Sequence, residues 1–133
     1  MRPGWWRCDM TELMAIPILL SPNIAETREY ALSLGFHVSV WDGYAILCGY
    51  GIELHYALTA RPDVCSETSC YIRGGGILEL HKALSARGAE RLTDIYSRPW
   101  GMTEFYLHDP HGNLLKFGMS TDELPDGHSF PER

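Results

Sequence analysis

The sequence predicts an α+β fold built from two copies of a βαβββ unit. Three observations predict it. The same order of elements occurs twice along the 133 residues. Each copy contains one helix with a regular apolar face and a glycine that stops it. The second copy closes on WGMTEFYLHDPHGNLLKFG, Trp100–Gly118, which reads as a β-hairpin ending a domain. Apolar and polar residues alternate along its first strand, Asp109-Pro110-His111-Gly112 makes a tight turn, and a second strand follows directly.

In the first copy, Ala15–Leu20 is a short apolar strand. Pro22-Asn23 then opens a helix. Asn23 is its N-cap, and Glu26 three residues later makes a variant of the capping box. Ile24, Thr27, Ala31 and Leu34 fall on one helical face, and Gly35 ends the helix. Strands are expected at His37–Trp41, Tyr44–Cys48 and Ile52–Leu58, separated by Asp42-Gly43 and Gly49-Tyr50-Gly51. The stretch Thr59–Thr68, with Pro62, reads as a linker.

The second copy repeats the order. Ser69–Arg73 is a strand, and Ile77–Arg87 is a helix with Ile77, Leu80 and Leu84 on its buried face, stopped by Gly88. Arg91–Ile95, Glu104–His108 and Leu114–Phe117 are the remaining strands. The expected organisation is therefore an N-terminal extension over 1–13, a domain over 14–119 with modules near 14–59 and 69–119, and a C-terminal tail over 120–133. The extension MRPGWWRCDMTEL has no periodicity; it is either a disordered terminus or an arm that meets a partner subunit through Trp5 and Trp6.

Composition narrows the function classes. Seventeen acidic and 11 basic residues give a formal net charge of −6, which argues against nucleic acid and against an anionic membrane surface as partners. No stretch is long enough for a membrane span and no secretory signal is evident, so a cytoplasmic protein is expected. The four cysteines, Cys8, Cys48, Cys65 and Cys70, lack a CxxC spacing and read as reduced. Gly74-Gly75-Gly76 precedes a helix but lacks the Lys-Ser/Thr of a phosphate loop, and reads as a flexible joint.

The hairpin DPHGNLLKFG resembles the C-terminal hairpin of the glyoxalase / bleomycin-resistance / extradiol-dioxygenase superfamily, whose D-P-x-G-N turn precedes a strand that carries the last metal-binding Glu or lacks it. LSLGFHVSVWDGYAIL and SCYIR resemble other segments of its bleomycin-resistance members. The resemblance spans roughly Ala15 to Met119. It implies a curved, open sheet shaped as a cup, with the helices packed outside, in which enzyme members hold a divalent metal. The four ligand positions correspond here to Ile16, Glu53, Ser69 and Lys116, so only Glu53 retains a ligand. His55, on the same strand face, does not complete a site that needs three or four donors.

The resemblance thus implies binding rather than catalysis: no metal, no cofactor, and a homodimer that sequesters a flat, cationic aromatic antibiotic of the bleomycin class in grooves at the subunit boundary. Such a ligand calls for aromatic platforms and carboxylates. The candidate contacts are Trp41, Glu53, His55, Tyr71, Trp100 and Glu104. The alternative is a metal-dependent lyase, isomerase or dioxygenase of the same fold with an altered site using Glu53 and His55.

Overall fold

A computed structural model describes residues 13–133, so Trp5, Trp6 and Cys8 lie outside the described residues. The chain divides into two compact units. The first holds the described residues up to Thr68 together with Pro110–Asn113; the second holds Ser69–Asp109 and Leu114–Arg133.

The first unit contains β1 (Ile18–Ser21), α1 (Ile24–Ser33), β2 (His37–Trp41), β3 (Tyr44–Gly49) and β4 (Ile52–Leu58). Its sheet runs in the order β1-β4-β3-β2. β1 is parallel to β4, and the other pairs are antiparallel. The strand expected from Ala15 begins only at Ile18. Pro17 explains the late start: it has no N–H to give the ladder, and only its carbonyl pairs, accepting from the His55 N–H at 3.1 Å. Period-2 alternation puts Leu54 and Tyr56 in the core, with Leu19, Ala45 and Leu47 beside them and Ala31 of α1 and its C-cap residue Leu34 buried as well. Glu53 and His55 therefore face the other side of the sheet, together with Ile18, Tyr44 and Ile46.

The cap of α1 is as the sequence predicts in its first half. Asn23 Oδ1 accepts from the Glu26 N–H at 3.1 Å. The reciprocal half is replaced, because the Asn23 N–H goes to Ser21 Oγ at 3.1 Å. Gly35 takes the left-handed φ of +97°, and the Phe36 N–H closes on the Ala31 carbonyl at 3.1 Å. The linker is not shapeless: Pro62–Glu67 form a 3-10 turn with proline at its start.

The second unit contains β5 (Ser69–Arg73), α2 (Ile77–Ala86), β6 (Tyr96–Ser97), β7 (Met102–His108) and β8 (Leu114–Ser120) in sheet order β5-β8-β7-β6. β5 is parallel to β8. Ile77, Leu80 and Leu84 of α2 are buried, as are Phe105, Leu107, Leu115 and Phe117. The Phe105 and Phe117 rings stack at 4.7 Å, and His81 meets Phe105 edge-on at 4.8 Å. The strand expected at Arg91–Ile95 does not form. Arg91 sits at φ +56°, and the Thr93 hydroxyl, rather than a backbone carbonyl, takes the Tyr106 N–H at 2.9 Å. A side chain competing for a ladder donor interrupts the ladder. Only a single bridge between Leu92 and Leu107 and the short β6 remain.

The sequence Asp109-Pro110-His111-Gly112-Asn113 has a physical reason in the first unit. Gly112 has φ +99°, and a Cβ there would lie 3.3 Å from Ser66 Cα and Cβ. Asn113 is fully buried. Its amide donates to the Leu20 carbonyl at 2.8 Å, and its oxygen accepts from the Thr68 hydroxyl. Removing these groups strands buried partners, at about 1–3 kcal/mol each. Asn113→Ala should lower the thermal midpoint by about 4–8 °C or more, and Asn113→Asp should be no better, because it sets an acceptor against the Leu20 carbonyl. Thermal melts of the two variants check this; a wild-type midpoint in Asn113→Ala would contradict it.

Candidate functional site

The non-helical face of each sheet carries a hydrogen-bonded side-chain cluster. On the first sheet it is Tyr44, His55 and Glu53. Register puts Tyr44 beside Ala57 and Ile46 beside His55, so these side chains share a face. His55 Nε2 lies 2.7 Å from Glu53 Oε2, and Nδ1 lies 2.6 Å from the Tyr44 hydroxyl. A carboxylate can only accept, so Nε2–H donates to Glu53, while Nδ1 shares a hydrogen bond with the Tyr44 hydroxyl. The Tyr44 pKa is raised, first by burial and then by the Glu53 charge.

Both nitrogens of His55 are thus engaged. Among the described residues no three His, Cys, Asp or Glu side chains converge as metal ligands. Ile16 and Ser69 offer no strong donor at the other corresponding positions. The residues present do not fit the metal that enzyme members of the superfamily hold.

On the second sheet the cluster centres on Glu104, which is 1 % exposed. Tyr71 donates to its Oε2 at 2.6 Å and Tyr106 to its Oε1 at 3.1 Å. Arg98 Nε lies 3.7 Å from Oε1. Register explains the convergence. Tyr106 is two residues from Glu104 and so on its face, and Tyr71 pairs with Lys116, which pairs with Tyr106. To reach Glu104 the Tyr71 ring crosses β8 above Gly118, where a Cβ would come within 3.0 Å of two ring carbons and closer still to the hydroxyl oxygen. Gly118 is there to let the ring pass.

Of the six residues singled out from sequence, Glu53 and His55 are brought into direct contact, and so are Tyr71 and Glu104. Trp41 stands at the exposed end of β2, paired with Tyr44 across the Asp42-Gly43 turn. Trp100 is 62 % exposed, on a tight turn closed by the Gly101 N–H to the Arg98 carbonyl at 3.1 Å. Tyr106, Arg98 and Tyr44 were not among the residues singled out from sequence. For Tyr106 the signal was present, since it lies two residues from Glu104 on a strand.

Burial, and after it the Glu104 hydrogen bond and charge, push the Tyr71 hydroxyl from a pKa of 10.0 to about 12. The ring is half-exposed. The folded state therefore favours the neutral phenol. That stabilisation is fully present below pH 10 and is lost as pH rises towards 12. Tyr71→Phe should flatten the alkaline fall in thermal midpoint between about pH 10 and 12, and Gly118→Ala, by displacing the ring, should bring the Tyr71 titration back towards about 10. Ultraviolet titration at the phenolate band checks both. An unchanged Tyr71 titration in Gly118→Ala would contradict the crossing geometry.

No protein-family model matches the chain, and no curated protein matches it by sequence. Solved structures do match. A bleomycin-binding protein complexed with bleomycin is 25 % identical, with a TM-score of 0.73 over 82 % of this chain and 99 % of that one. The bleomycin-binding protein from bleomycin-producing Streptomyces verticillus, complexed with copper(II)-bleomycin, is 27 % identical, with a TM-score of 0.67 over 80 % and 94 %. A glyoxalase/bleomycin resistance protein/dioxygenase from Alicyclobacillus acidocaldarius, 22 % identical with a TM-score of 0.66 over 82 % and 92 %, shares the fold. With its two βαβββ modules, its D-P-x-G-N hairpin and these neighbours, the chain belongs to the glyoxalase / bleomycin-resistance / dioxygenase superfamily.

Proposed function

We propose that the protein is a non-enzymatic cytoplasmic binder that sequesters a flat aromatic antibiotic of the bleomycin class, as a homodimer with its ligand grooves at the subunit boundary. The observation that carries this reading is the likeness to two bleomycin-bound proteins over most of both chains, at 25 % and 27 % identity. Trp41 in the first unit and Trp100 in the second are 54 % and 62 % exposed, and each offers an aromatic surface on which a planar ligand can stack. Glu53, with Asp42 near the same sheet, supplies negative charge for a cationic tail. Glu104 acts differently from the sequence expectation. Buried and already bonded, it positions Tyr71 and Tyr106 rather than meeting the ligand. The dimer is supported by exposed apolar side chains in the first unit, Ile18, Val40, Trp41 and Leu58, a kind of surface that subunit contacts cover.

Stacking with cation–π character is worth roughly 0.5–2 kcal/mol, so Trp100→Ala should weaken bleomycin binding by a few-fold to about thirty-fold without changing the fold. Calorimetric titration of wild type and variant checks this. No heat up to about 1 mM, a binding free energy near −4 kcal/mol, would overturn the ligand class. An enzyme using Glu53 and His55 requires a bound divalent ion. Metal analysis of the purified protein should find less than one equivalent, and a chelator should leave the thermal midpoint unchanged.

A further inference from the structure

The second sheet carries more positive charge on its face than its own carboxylate balances. Lys116 projects from β8 between two rings: its Nζ is 5.3 Å from the centroid of Tyr71 and 5.3 Å from that of Tyr106. Both hydroxyls are turned to Glu104, so the rings are fixed and the ammonium is held between them. Lys116 has no carboxylate partner among the described residues, and its ammonium sits against the two rings. The Arg98 guanidinium carbon lies 5.1 Å from the same Tyr106 centroid, with Trp100 and Tyr96 at 5.8 and 5.9 Å. Arg98 Nε has no hydrogen-bond acceptor, and Nη1 donates to the Arg133 carbonyl at 2.9 Å. The Arg73 guanidinium carbon stands 5.8 Å from the Tyr71 ring centroid.

Three cations thus line two tyrosine rings, Glu123 shares a pocket with Arg73, and the carboxylate between the two rings is already bonded. Glu104 is buried beneath the rings, its oxygens taken by Tyr71 and Tyr106, with Arg98 beside it. Ring quadrupoles attract a cation but do not neutralise it. Like charges gathered on a partly desolvated surface repel one another, and an oxyanion arriving there relieves the repulsion while giving Lys116 an acceptor beside the Arg98 charge. The tryptophan beside Arg98 adds an apolar platform.

We infer that the face of the second module built on Lys116 and Arg98 is a site for an oxyanion, a carboxylate, phosphate or sulfonate, attached to a flat aromatic body that stacks on Trp100. The ammonium that replaces a ligand for a metal is here a ligand for an anion. Specificity resides in the lattice beneath: Glu104 aligns the two tyrosines, and these hold the ammonium forward without pairing with it. The site shares Trp100 with the stacking surface proposed above and differs from it in the charge that the face accepts.

The test compares two probes with the same body and opposite charge, 1-naphthoate and 1-naphthylmethylammonium, by calorimetric titration of the full chain at low salt. Naphthoate should bind at least about ten-fold more tightly than the amine, a difference of about 1.4 kcal/mol. Lys116→Met keeps the length of the side chain and removes its charge; it should weaken naphthoate by about ten-fold or more and leave the amine unchanged or tighter. Lys116→Arg, which retains the charge, should keep most of the naphthoate affinity, and circular dichroism checks that both variants fold. A preference for the amine, no naphthoate binding up to about 10 mM (a free energy weaker than −3 kcal/mol), or equal naphthoate affinity in wild type and Lys116→Met would each overturn the inference.

Discussion

A carboxylate removed from water must be given hydrogen-bond donors, and the second module is arranged around that requirement. Glu104 is buried in β7 at a position where alternation sends its side chain to the non-helical face. Left alone it would be strongly destabilising. Two phenols and a guanidinium answer it, and each answer constrains something else. Tyr71 can reach only if residue 118 has no side chain. Tyr106 must stand two residues along the same strand. Arg98 must come off β6 at the turn that also presents Trp100. The positions of Lys116 and of the aromatic platforms follow from those constraints.

The two modules share a topology but have opposite side-chain chemistry. Both sheets have one parallel pair, two antiparallel pairs and a helix over one face. The first presents a carboxylate steadied by a histidine and a phenol; the second presents cations steadied by a buried carboxylate. The duplicated backbone fixes where side chains point. It does not fix their charge, and that freedom lets one fold serve metal chemistry in some members and plain binding in others.

Much of this was legible in the residues. Strand alternation, the Asn23 cap, the helix-ending glycines and the D-P-x-G-N turn gave the element order, because each is a local signal with a local cause. Two features were not legible. The break at Arg91–Ile95 depends on a threonine hydroxyl reaching a strand thirteen residues away, and composition alone favoured a strand there. The role of Glu104 was read as a ligand charge, because an acid on an alternating strand looks available until its partners are placed. Those partners come from β5, the β6–β7 turn and β7 itself, and local pattern carries no information about which distant residues converge.

Glu104 and Tyr71 act as one unit rather than as neighbours. A double-mutant cycle on thermal or denaturant stability, using Glu104→Gln, Tyr71→Phe and the pair, measures that directly. A coupling of about 1–3 kcal/mol is expected, since each single change leaves the other partner buried without its bond. Additivity within about 0.3 kcal/mol would contradict the claim that this buried hydrogen bond organises the face.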